Sequence, residues 1–239
     1  MSIKKTLVIA ITLLSIHSVF AQDEDHSFYA GIGLGAGIPL GPFNSRTLDP
    51  SGGGSAKLGF DGNVVAGYQV PGKAYGGVLT IGYNLNKFDI NGLAAAYPDD
   101  NITAGTSGSY SILTVMLGPS IGDKNDKLSY NLGLQLGYVS VSYPALTYST
   151  TAQGSGKTTS YAIGAVSSGS LGFQVCTSFR YSITDNLCAL FMANAFYGKP
   201  TGTYTETTLT TGSQAVTGPV TFSRYVVMLN FNIGVAYAL

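Results

Sequence analysis

Charge is what this sequence has least of: Asp, Glu, Lys and Arg make up 10% of its 239 residues, where a soluble domain carries about a quarter. It has no Trp, two His and two Cys. Without a basic patch, nucleic acid is excluded as a partner. The one long apolar run, near the start, is too short to span a bilayer as a helix, and no run of eighteen or more apolar residues follows it. What is plentiful is Gly (32) and Tyr (16). A chain short of charge and of membrane-length helices fits the other structure that can cross hydrocarbon, a closed barrel.

The early apolar run, LVIAITLLSI, follows Lys4 and Lys5 and leads to Val19 and Ala21 at the minus-three and minus-one positions of a signal-peptidase site. Residues 1–21 are expected to be a cleaved secretory signal, and residues 22–239 a single domain opening on the acidic stretch QDEDH. No Cys stands at the cleavage point, so a lipid anchor is not expected.

Strict alternation is clearest from Tyr225 to Leu239: Tyr225, Val227, Leu229, Phe231, Ile233, Val235, Tyr237 and Leu239 share one face. A period of two is a strand. The same period recurs in FYAGIGLGAGI, LGFDGNVVAGYQV, YGGVLTIGYNL, YSILTVMLGPSI, LSYNLGLQLGYVSV, SLGFQVCTSFRYSI and LCALFMANAFYG, which makes eight strands. The fourth is apolar on both faces, so its register is open. PGKA (71–74), GDKNDK (122–127) and ITDN (183–186) read as tight turns. Residues 39–56, 89–109, 144–166 and 199–221 read as long loops of Gly, Ser, Thr and Asn. Short turns at one end and long loops at the other describe a transmembrane barrel with periplasmic termini.

The apolar face is expected to meet lipid, because the opposite face is small and neutral instead of charged. Only Asp61 and Arg180 fall well inside strands. Tyr75 and Tyr83 on the third strand, and Tyr130 and Tyr138 on the fifth, share the apolar face eight residues apart. That spacing covers roughly 20 Å of membrane normal, about the separation of two interfacial girdles.

The opening FYAGIGLGAG, the rhythm of strands and turns, and the alternating last strand resemble the small eight-stranded outer-membrane β-barrels of the OmpA, OmpX and OmpW type. The resemblance implies an outer-membrane address, contact with its lipid and lipopolysaccharide, and insertion by the barrel assembly machinery. Leu239 stands where the family commonly ends in Phe. No peptidoglycan-binding segment follows the last strand, which argues against a cell-wall tether.

Candidate chemistry is sparse. Gly31, Gly33, Gly35 and Gly37 do not precede a helix, so they read as small residues facing a crowded lumen and not as a phosphate loop. His17 belongs to the leader and His26 to the periplasmic side, so a lipid-modifying or proteolytic enzyme would have no base at the outer rim. The turn near residue 185 sets Cys176 opposite Asn194 and Cys188 opposite Ser182, roughly 20 Å out of register, so no disulfide or metal site is expected. Asp61, Asn63, Gln135, Gln174, Arg180, Asn194, Asn230 and Asn232 are the expected lumen-lining polar residues. Asp61 should lie in the outer half and Arg180 near the periplasmic mouth, too far apart to pair.

No cofactor or catalytic residue is indicated. The favoured reading is a non-enzymatic barrel with an envelope-structural or surface-contact role through its loops, for an external ligand the sequence does not name. The alternative is a narrow channel for small, even hydrophobic, solutes, since the interior looks light in bulky residues apart from Met192 and Phe196.

Overall fold

A computed structural model describes residues 28–47, 53–98, 101–125, 127–151 and 156–239. The expected leader (residues 1–21) and the acidic stretch with His26 lie outside them. Among the described residues, eight antiparallel strands close into a barrel. These are β1 (Phe28–Pro39), β2 (Gly59–Gln69), β3 (Tyr75–Lys87), β5 (Ser109–Asn125), β6 (Leu128–Tyr143), β9 (Val166–Ser182), β10 (Leu187–Gly198) and β13 (Val226–Ala238). Around the barrel the order is β1-β13-β10-β9-β6-β5-β3-β2, so β1 and β13 form the closing seam. The seam pairs Tyr29 with Ala238 through Pro39 with Met228.

Each expected strand forms where expected. The open register of β5 is settled by packing: Ile112, Thr114 and Met116 point inward, while Leu113, Val115 and Leu117 point outward. The GDKNDK turn is shorter than read, because β5 continues to Asn125, which pairs with Leu128.

Outward residues form a continuous apolar belt that includes Ile32, Leu34, Leu117, Leu136, Leu171 and Ile233; Leu171 is 86% exposed. Tyr75, Tyr130, Tyr181 and Tyr237 ring it at the short-turn end, and Tyr83, Tyr138, Tyr197 and Tyr225 ring it at the other. This is the lipid face of a transmembrane barrel, with aromatic girdles at both interfaces.

The main departure from the sequence reading lies beyond the outer girdle. Three of the four expected loops carry strands: β4 (Thr103–Ser107), β7 (Leu146–Thr151), β8 (Thr158–Ile163), β11 (Thr201–Thr210) and β12 (Val216–Ser223). They form a second sheet in the order β12-β11-β8-β7-β4. That order continues the barrel order β13-β10-β9-β6-β5, so five adjacent wall strands rise out of the membrane as one open sheet. Short joints separate wall from extension: Gly108, Pro144-Ala145, Gly164-Ala165, Lys199-Pro200 and Arg224-Tyr225. Pro cannot donate to a ladder and Gly adds no side chain to pack, which suits both to a break between sheets.

The other three wall strands stop at the rim under a small cap. A 3₁₀ turn (Gly41–Phe43) and helix α1 (Ile90–Ala96) lay Phe43 and Leu93 over Tyr110 with Phe88. Asp89 caps α1 by accepting from the Gly92 N–H at 2.9 Å, and pairs with Lys57 at 2.7 Å and Arg46 at 3.0 Å. Burial works to raise this carboxyl; the Lys57 hydrogen bond, the Gly92 N–H and the two cations outweigh it and hold Asp89 below the usual carboxylate range.

Candidate functional site

From the periplasmic end outward, the inward residues of β10 and β13 run apolar, polar, apolar: Leu190, Met192, Asn194 and Phe196 on β10, and Ala236, Asn232, Asn230 and Met228 on β13. Toward the periplasm an apolar layer of Val65, Val78, Cys176, Leu190, Met192 and Ala236, with Tyr29 and Cys188, shares the interior with the buried polar residues Ser129, Asn131, Ser178 and Arg180. The outer layer is also apolar and includes Ile112, Met116, Val139, Val141, Phe196 and Met228. Between them lies a polar band.

All eight expected lumen residues are buried in the interior, and most belong to the band. Asp61 Oδ2 accepts from Asn63 Nδ2 and, at 2.8 Å, from Asn232 Nδ2; Asn63 also donates to Asn232 Oδ1 at 3.0 Å. Gln174 Nε2 donates to Gln135 Oε1 at 2.7 Å, and Gln135 Nε2 donates to the Val78 carbonyl at 2.9 Å. Asn194 pairs in register with Asn230. Arg180 stands apart, its guanidinium carbon 3.5 Å from the centre of the Tyr29 ring near the periplasmic mouth. Among the described residues it makes no ion pair with Asp61.

The interior is fuller than its glycine content implies, because neighbouring side chains occupy the space each glycine leaves. A Cβ on Gly33 would lie 2.8 Å from Met192 Cε; on Gly133, 2.7 Å from both Cys176 Sγ and Val78 Cγ1; on Gly172, 2.4 Å from Val139 Cγ2. The expectation of a loosely filled lumen is therefore corrected. An eight-stranded wall leaves just enough room for side chains to fill, and here they do. Among the described residues no three His, Cys, Asp or Glu side chains gather into a metal-binding group.

Cys176 lies opposite Asn194 and Cys188 opposite Ser182, and both thiols are free and buried.

The outer sheet is the feature sequence reading missed. Its cross-strand pairs are largely hydroxyl to hydroxyl: Thr207 with Thr217 at 2.9 Å, Thr159 with Thr210 at 3.1 Å, Thr203 with Thr221 at 3.3 Å. Tyr148 and Tyr161 stack on one face at 4.8 Å. Burial pushes the Tyr148 phenol well above its ordinary value, and Tyr161, Glu206 and Tyr204 push it the same way, so it stays neutral. The other face is a shallow trough with Thr103, Thr147, Ser149, Ser160, Thr207 and Leu209 along it. Where sheet meets barrel, Tyr143 packs edge-on to Phe222 at 4.8 Å under Arg224, which donates to the Tyr110 hydroxyl at 3.4 Å. Tyr110 in turn donates to the Gly54 carbonyl at 2.5 Å, tying sheet, wall and cap together.

No protein-family model matches the chain, and no curated protein matches it. Among solved structures, neisserial surface protein A is similar at 14% identity over 89% of this chain and 97% of that one, with a TM-score of 0.47. A major outer membrane protein from Thermus thermophilus is similar at 15% identity over 88% and 99%, with a TM-score of 0.43. The attachment invasion locus protein Ail of Yersinia pestis is similar at 13% identity over 89% and 99%, also with a TM-score of 0.43. On its own strands, register and lipid-facing belt, the chain has the closed architecture of the small eight-stranded outer-membrane barrels.

Proposed function

We propose that this protein is a non-enzymatic, non-conducting outer-membrane barrel that works outside the cell through its five-stranded extension. The barrel is the anchor, seated among lipid and lipopolysaccharide after export and insertion by the barrel assembly machinery. The extension is the contact surface. The observation that carries this reading is the division of the chain: the interior is spent on packing, while five of the eight wall strands continue past the membrane into an ordered sheet. Ten residues of β11 at about 3.3 Å each run roughly 30 Å along the strand beyond the rim. Loops meant only to close hairpins do not need that length.

The test compares bacteria displaying the full chain with bacteria displaying a chain whose residues 147–162 and 203–221 are replaced by short Gly-Asn turns. Heat-modifiable gel mobility reports whether each barrel folds, and adhesion to other cells or matrix, together with envelope sensitivity to detergent, reports function. Loss of adhesion with a folded barrel supports the contact role. Unchanged adhesion and unchanged sensitivity overturn it.

A further inference from the structure

We infer that the polar band of the barrel is a binding site for a sodium-sized monovalent cation, held by the Asp61 carboxylate and the side-chain carbonyls of Asn84 and Asn230.

Asp61 is fully buried, and its two hydrogen-bond partners, Asn63 and Asn232, are neutral and both reach Oδ2. Oδ1 has no partner among the described residues. The other interior charge, Arg180, is occupied with Tyr29 toward the periplasmic mouth. The carboxylate is thus a buried charge without a counter-charge, an arrangement proteins resolve by protonating the group, by pairing it or by holding a cation.

Asn84 is Asp61's register partner on β3. It too is fully buried, and neither of its amide atoms has a partner. Asn230 on β13 is buried and, among the described residues, its Oδ1 is unpartnered, as is Nδ2 of Asn194, its register partner on β10. The two amide oxygens lie over Gly37, at 2.4 Å (Asn84) and 3.1 Å (Asn230) from the point its Cβ would fill, with the Met228 methyl beside them at 3.0 Å. Gly37 opposes Asn230 in register, so its missing side chain opens the gap into which both lean.

Three acceptor oxygens without donors, one of them anionic, are the coordination chemistry of a hard cation. A single water has two protons to offer three acceptors and cancels no charge. One carboxylate balances one positive charge, whereas a divalent ion would leave a net charge in the interior, with no second acid in the band among the described residues. The site lies deep in the filled interior, so the ion is taken up as the barrel closes.

The mature protein would be refolded from denaturant into detergent micelles in sodium chloride or in N-methyl-D-glucamine chloride at equal ionic strength. Thermal midpoints would then be read by heat-modifiable mobility and circular dichroism. Sodium is expected to raise the midpoint by several degrees in the natural chain. Asp61→Asn, which keeps the side chain's shape, should abolish the difference while still folding. Sodium retained after transfer to sodium-free buffer, measured by atomic absorption, should be stoichiometric in the natural chain and absent in Asp61→Asn. Equal midpoints in both salts with no retained sodium would overturn the site, as would full sodium dependence in Asp61→Asn.

Discussion

Asn232 on β13 donates to Asp61 on β2 at 2.8 Å although β1 runs between them. Gly35 makes the contact possible, for it opposes Asp61 on one side and Asn232 on the other. Any side chain at Gly35 would stand between the partners. Gly35 and Gly37 of β1 are therefore gaps in the seam over which polar residues of other strands meet, while Leu190 and Met192 fill the gaps at Gly31 and Gly33.

Gly35→Ala should lower stability by about 1–3 kcal/mol, the usual cost of overpacking. Its Cβ would lie 1.8 Å from the Phe231 carbonyl oxygen, and backbone cannot step aside as a side-chain tip can. Gly62→Ala is the matched control: its Cβ would face outward at ordinary contact distance, 3.4 Å from Leu34. Denaturant unfolding of both variants in micelles checks the pair, and equal stabilities would refute the gap argument.

Cys176 and Cys188 should stay reduced under oxidising conditions, because the strand register holds them roughly 20 Å apart. Both should resist a water-soluble maleimide while the barrel is folded and react fully once it is boiled in detergent. Mass spectrometry reads the outcome; a disulfide-linked species or rapid labelling of the folded protein would contradict the register.

The cap over the outer rim should loosen in acid. The folded Asp89 carboxyl titrates below its unfolded value, so its contribution is complete above about pH 3.9 and is lost as pH falls through the lower folded value. Near-ultraviolet circular dichroism of the tyrosine cluster around Tyr110 should show that acid transition in the natural chain. Asp89→Asn should start with a weakened cap and lack the transition. An identical acid response in both proteins would remove Asp89 as its origin.

The barrel was legible in the sequence because its signal is contrast. From Tyr225 to Leu239 large apolar residues alternate with small or polar ones, and the Cys176 register followed from one turn position. The outer sheet lacks that contrast. In LTYSTT and TTSYAI both faces carry hydroxyls, so the period-two signal has little to act on, although TYTETT alternates Thr with Tyr and Glu. Interior filling was illegible for another reason: Met192 fills the gap at Gly33 from two strands away, a relation set by barrel closure and not by neighbours in sequence. The polar residues of the band were visible one by one, while their meeting across β1 depends on which glycine faces which partner.

Ion conductance of the refolded mature protein in planar bilayers tests the sealed interior most directly. With packed side chains filling its interior, the folded barrel is expected to be electrically silent, and Gly172→Trp to change nothing in the trace. Reproducible unit conductance from a barrel shown to be folded by heat-modifiable mobility, abolished by Gly172→Trp, would contradict the account and make the lumen a path.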